Sequence, residues 1–112
     1  GQPTTRESDG LAMSSRNLRL KAEERSKAPQ IYIALRSLAD AHKAGEKDYA
    51  KLIASFESEL AKVDGFRLDY IDIRTQDRLD VMGGTVDKPA VALVAAHLGS
   101  VRLIDNLEFG GQ

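Results

Sequence analysis

This sequence predicts an α+β domain: an N-terminal loop, two to three helices, then a small antiparallel sheet of about three strands. Three observations carry that prediction. Residues 1–17 are polar and without sustained periodicity, apolar residues then recur at helical spacing, and beyond Gly65 the period drops to two. Helices followed by strands, rather than alternating with them, lead to helices packed on one antiparallel sheet. With 112 residues, 42% hydrophobic and 29% charged, the chain can bury one modest core and is expected to be a single domain, 1–112.

The elements follow in order. Pro3 and the Asp9-Gly10 pair mark extended and turn conformations in the opening segment. Helix formers dominate residues 21–44, with Ile31, Ala34, Leu35, Leu38 and Ala41 on one face. Pro29 lies inside this run, where it lacks a backbone donor and disfavours helical geometry at Ala28, so a kink or break is expected there. Gly45 is placed to end the helix in a left-handed conformation. Asp48 then caps a second helix, whose buried stripe is Tyr49, Leu52, Ile53, Phe56, Leu60 and Val63.

The segment FRLDYIDIRT alternates, placing Phe66, Leu68 and Tyr70 on one side of a strand and Arg67, Asp69, Ile71 and Ile73 on the other. RLDVMGGTVDK reads as a short extended piece and a loop, with Gly83 and Gly84 supplying flexibility. PAVALVAAHLG is an almost unbroken apolar run, as in a central strand buried on both faces. Gly99-Ser100 turns the chain back into VRLIDNL.

Composition removes several functions. Sixteen Lys and Arg against seventeen Asp and Glu give a net charge of -1, so no excess of positive charge is available to bind a nucleic-acid backbone. With no cysteine there is no disulfide, thiolate nucleophile or cysteine-bound zinc, as suits a reducing compartment. No apolar run reaches membrane-spanning length and no leader resembles a signal peptide, so a soluble cytoplasmic protein is expected. His42 and His97 have no neighbours at metal-ligand spacing; His42 reads as a solvated helix residue. HLGS at His97 is similar to the HxGH phosphate-binding signature, but Ser100 replaces the second histidine and a strand follows, so a hairpin turn is expected. Glu23, Glu24, Glu57 and Glu59 read as solvated charges on helix faces.

The opening segment is different. Ser14, Ser15 and Arg16 stand just before the helical region, where two hydroxyls and a guanidinium suit an anion such as a phosphate. The plain alternative is equally physical: serines before a helix cap it, and an arginine there forms a surface ion pair.

PTTRESDGLAMSSRN closely resembles the signature with which the second domain of the pantothenate synthetase (pantoate-beta-alanine ligase) family opens. The likeness continues in order through Glu23-Glu24-Arg25, Asp69-Tyr70, an apolar strand, and RLIDN at residues 102–106. The resemblance implies a ligase that adenylates pantoate with ATP, releases pyrophosphate, and lets the amine of beta-alanine displace AMP. It implies a mobile loop similar to the KMSKS loop of class I aminoacyl-tRNA synthetases within residues 1–17. Met13, Ser14, Ser15 and Arg16 would contact ATP phosphates there, and Thr5 would hold the adenine through its backbone. Thr5 stands where the family commonly has valine, which a backbone contact survives.

The resemblance further implies a Rossmann-like N-terminal domain as the partner of this one. That domain holds the HxGH histidines and the pantoate and beta-alanine sites, and is absent here; this chain is expected to be the isolated C-terminal domain, without catalytic residues of its own and inactive alone. Mg2+ is expected to accompany ATP with no ligands in this chain, and the full enzyme to be a homodimer. The competing reading is a small binding or self-association module in which the serine-arginine loop is merely a cap.

Overall fold

Chain order in the computed structural model, which describes residues 4–111, is helical first and sheet second. A short 3-10 helix, Ser15–Arg19, precedes α1 (Ala22–Lys27), α2 (Gln30–Lys43) and α3 (Tyr49–Leu60). Strands β1 (Phe66–Thr75), β2 (Ala90–Leu98) and β3 (Val101–Phe109) follow. They form one antiparallel sheet in the order β1-β2-β3, the α+β arrangement expected. Pro3 lies outside the described residues.

Local chemistry sets the helix ends. Pro29 separates α1 from α2: Ala28 and Pro29 keep helical dihedrals, but the proline has no N–H to give. At the end of α2, Gly45 takes φ +118; its N–H reaches the His42 carbonyl (3.0 Å) and the Glu46 N–H reaches the Ala41 carbonyl (3.0 Å). These two bonds make a Schellman closure. Asp48 accepts the Lys51 N–H at 3.0 Å, capping α3 as expected. Leu52, Phe56 and Leu60 of the expected stripe are buried, while Val63 lies past the end of α3.

The core lies between the helices and one face of the sheet. Ile31, Leu35 and Leu38 of α2 join Leu52 and Phe56 of α3 and alternate residues of β2, namely Ala90, Ala92, Val94, Ala96 and Leu98. On the other face of β2 Val91 and Ala95 are buried but Leu93 and His97 are only half-buried, so the apolar run is fully covered on the core face and partly on the other. A two-residue turn at Gly99-Ser100 joins β2 to β3, Gly99 taking φ +60. HLGS is therefore the hairpin expected.

Three expectations are corrected. The alternation of β1 reverses at a bulge: Leu68 pairs with Ala96 and Tyr70 with Ala95, leaving Asp69 as the extra residue. Phe66 and Leu68 therefore share the core face with Ile71 and Ile73, and Tyr70 points away, 44% exposed. His42 is buried, not solvated; its Nε2 lies 2.9 Å from the Val86 carbonyl and its ring meets Phe109 edge-on with centroids 5.0 Å apart. Glu24 is half-buried: it accepts the Lys21 N–H at 3.0 Å and lies where a Cβ on Gly99 would fall.

Candidate functional site

The opening segment has a pinned base and a free tip. Residues 5–13 form a small hairpin: the Glu7 N–H bonds to the Leu11 carbonyl (2.7 Å), and the Met13 N–H to the Thr5 carbonyl (2.9 Å). Gly10 turns it at φ +96 and lies so close to the Tyr32 ring that a Cβ would overlap it. Leu11 is buried in the core.

Electrostatics complete the base. Arg6 makes a two-pronged bond to Asp105, Nη1 to Oδ2 at 2.7 Å and Nη2 to Oδ1 at 3.0 Å, across 99 residues of sequence. The second hydrogens of Nη1 and Nη2 reach the Gly10 carbonyl (3.0 Å) and the Asn106 carbonyl (2.9 Å), and the guanidinium sits 4.0 Å from the centre of the Tyr32 ring. A second arginine, Arg25 of α1, bonds Asp9 at 2.7 Å and holds its carboxyl below the usual carboxylate range.

The tip has no such ties. Met13 is 52% exposed, and Ser14, Ser15 and Arg16 are exposed. Ser14 is the cap that the plain reading expected, its Oγ accepting the Arg16 N–H at 3.1 Å. The Ser15 hydroxyl and the Arg16 guanidinium have no partner among the described residues. Thr5 is exposed at the hairpin's start with its carbonyl already used by Met13. Ser14 and Arg16 line one wall of a cleft of about 200 Å³; Asn17, Tyr32 and Asp105 also line it. The Asn17 amide donates to the Ala12 carbonyl at 3.0 Å, leaving its buried Oδ1 without a partner.

Sequence reasoning thus singled out the exposed tip and missed the base: Arg6, Tyr32, Asn17 and Asp105. A signal was present for two of them, since Arg6 and Asp105 are opposite charges inside the two segments, RESDG and RLIDN, that carry the resemblance. Among the described residues no group of three or more His, Asp or Glu side chains could hold a metal, and no helix is long and apolar enough to cross a membrane.

Known proteins resemble this chain in sequence and in fold. The family model described as pantoate-beta-alanine ligase matches residues 1–108. The chain belongs to that family. The pantothenate synthetase of Ectopseudomonas mendocina is 47% identical over 115 aligned residues, covering 100% of this chain and 39% of the relative. That of Rhodopseudomonas palustris (strain CGA009) is 47% identical over 107 residues, covering 96% and 37%.

Among solved structures, Thermus thermophilus pantothenate synthetase superposes with a TM-score of 0.85 at 41% identity, covering 96% of this chain and 38% of that one. A Francisella tularensis pantoate-beta-alanine ligase, solved in complex with beta-gamma ATP and beta-alanine, matches with a TM-score of 0.54 at 27% identity, covering 96% and 31%. This chain therefore spans less than two fifths of the length of these pantoate-beta-alanine ligases.

Proposed function

We propose that this chain is the C-terminal lid domain of a pantoate-beta-alanine ligase, residues 1–17 forming the loop that closes over ATP. The observation that carries this reading is the exposed pair of Ser15 hydroxyl and Arg16 guanidinium, without a partner among the described residues, on a loop whose base is held by buried contacts. A group that must bind an anion loses affinity if it is already paired, and these two are not.

In the ligase, a carboxylate oxygen of pantoate attacks the α-phosphorus of ATP. The bond from that phosphorus to the bridging oxygen breaks, and pyrophosphate leaves with the electrons. The amine of beta-alanine then attacks the acyl carbon of the adenylate, the bond to AMP breaks, and the amine's surplus proton passes to solvent, leaving pantothenate. Charge builds on the pyrophosphate as it departs, so donors that meet it in the transition state speed the first step rather than merely tighten ATP binding.

Arg16 supplies charge, Ser15 a hydroxyl, and Met13 and Ser14 complete the loop's contact with the phosphates. Ser14's capping role is compatible with this: a hydroxyl that accepts from the Arg16 N–H keeps its own hydrogen for a phosphate oxygen. Thr5 meets the adenine through its backbone. Mg2+ accompanies ATP, neutralising phosphate charge. The N-terminal domain of the same enzyme brings pantoate and beta-alanine, and the full ligase works as a cytoplasmic homodimer without nucleic acid or membrane as partner.

The test is pantoate-dependent exchange of labelled pyrophosphate into ATP by the full-length ligase carrying Ser15→Ala and Arg16→Ala together. Loss of these two donors together is expected to slow exchange by roughly 100-fold or more. Unchanged exchange overturns the phosphate role and leaves a small binding module as the reading.

A further inference from the structure

Arg6 carries more directed bonding than a surface loop needs in order to stay folded. Its four hydrogen bonds end on three groups in two separate segments: the Asp105 carboxylate and Asn106 carbonyl of β3, and the Gly10 carbonyl at the turn of its own hairpin. The side chain of Asp105 is 4% exposed and that of Arg6 16%, so the pair is taken out of water. A buried ion pair of this kind stabilises no better than well-packed apolar side chains of the same size. What apolar side chains cannot do is tie a loop and a strand together in one plane through a rigid fork, and a lysine, with a single charged point, cannot do so either.

We propose that Arg6 is a positioning residue, a fulcrum whose lock onto Asp105, Gly10, Asn106 and the Tyr32 ring sets where Ser15 and Arg16 point. The path from fulcrum to tip is short. Arg6 faces Ala12 across the hairpin, the Met13 N–H forms the last bond of that hairpin on the Thr5 carbonyl, and the tip starts at the next residue. On the far side the tip is held by the Asn17 amide on the Ala12 carbonyl. Both ends of the tip therefore hang from the residue opposite Arg6, and a shift of the guanidinium moves them together. This inference rests on the triphosphate role of residues 13–16.

The test uses the full-length ligase with Arg6→Lys, Arg16→Ala and the two combined, each checked for a native circular dichroism spectrum and melting curve. Arg6→Lys is expected to lower kcat of pyrophosphate exchange by roughly 10- to 100-fold, as a misplaced catalytic group does, and to leave KM for pantoate unchanged. Because Arg6 acts through the tip, the double variant is expected to be no slower than Arg16→Ala by more than about twofold.

A full exchange rate in Arg6→Lys, or losses that multiply in the double variant, overturns the proposal. If Arg6→Lys does not fold, Asp105→Asn, which keeps shape and removes the charge, is read by the same criteria. A slow Arg16→Ala with a normal Arg6→Lys defeats the fulcrum alone. A normal Arg16→Ala and a normal Ser15→Ala defeat the triphosphate reading, and the fulcrum with it.

Discussion

Gly10 shows how much one residue can decide. Its φ of +96 is a conformation that L side chains rarely adopt, and the Tyr32 ring occupies the space of a Cβ. Gly10→Ala is therefore expected to destabilise the chain by about 1–2 kcal/mol from backbone strain alone, more if Tyr32 is pushed off Arg6; urea denaturation measures it. His42 presents the opposite problem, a polar side chain whose removal leaves the buried Val86 carbonyl without its donor and takes away the edge contact with Phe109. His42→Ala is expected to cost about 1–3 kcal/mol for the lost bond, with the loop around Val86 the first to gain amide exchange. Tyr49 donates to Asp72 at 2.5 Å, and burial first, then that bond, push its phenol up to about 12. Spectrophotometric titration should show a tyrosinate step near that pH which Tyr49→Phe removes.

At the scale of elements, two interruptions have different consequences. Pro29 breaks the helical run without diverting it, since Ala28 and Pro29 both keep helical dihedrals. Pro29→Ala is expected to join α1 and α2, raising helicity by circular dichroism. It gains up to about 3 kcal/mol of helix propensity against a loss of about 0.4–1 kcal/mol as the unfolded chain becomes freer, so net stability rises. The bulge at Asp69 has the reverse character. Deleting Asp69 would carry Leu68 and Phe66 to the solvent face or Ile71 and Ile73 out of the core, because side chains alternate with a period of two. The deletion is expected to abolish the cooperative unfolding transition, whereas Asp69→Ala, which keeps the chain length, retains it.

Across the whole molecule, charge sets a window of stability and geometry limits what the chain can bind alone. Four carboxyls sit below their usual range: Asp9 through Arg25, Asp69 through Arg102, Asp77 through the Thr75 hydroxyl, and Asp72, where burial pushes upward but bonds from Tyr49 and Arg74 outweigh it. A lowered folded-state pKa contributes stability that is present above the unfolded value and lost as pH falls through the folded one; a raised one, as for Tyr49, is lost as pH rises. Stability is therefore expected to decline below about pH 4 and again above about pH 10 toward the Tyr49 value, which urea midpoints across pH will trace. Arg16 lines an open cleft and its neighbour Ser15 is exposed, so calorimetric titration of ATP into this chain by itself is expected to show weak or no binding. Tight binding there would mean that the site is not shared with another domain.

The sequence determined most of what is local. Period and punctuation set the helices, the cap at Asp48, the Gly45 closure, the buried central strand and the Gly99-Ser100 hairpin, since each depends on neighbours within a few residues. The exposed tip at residues 13–16 was legible for the same reason: a run of polar side chains with no apolar partner has no core to enter. What the tertiary structure alone decided involves residues far apart in the chain. The meeting of Arg6 with Asp105, the burial of His42 on Val86 and Phe109, and the reversal of β1 at Asp69 each require a partner 44 to 99 residues away or a pairing register. Periodicity records which side chains shun water, but a salt bridge or a bulge appears only when packing brings separate elements to a fixed distance.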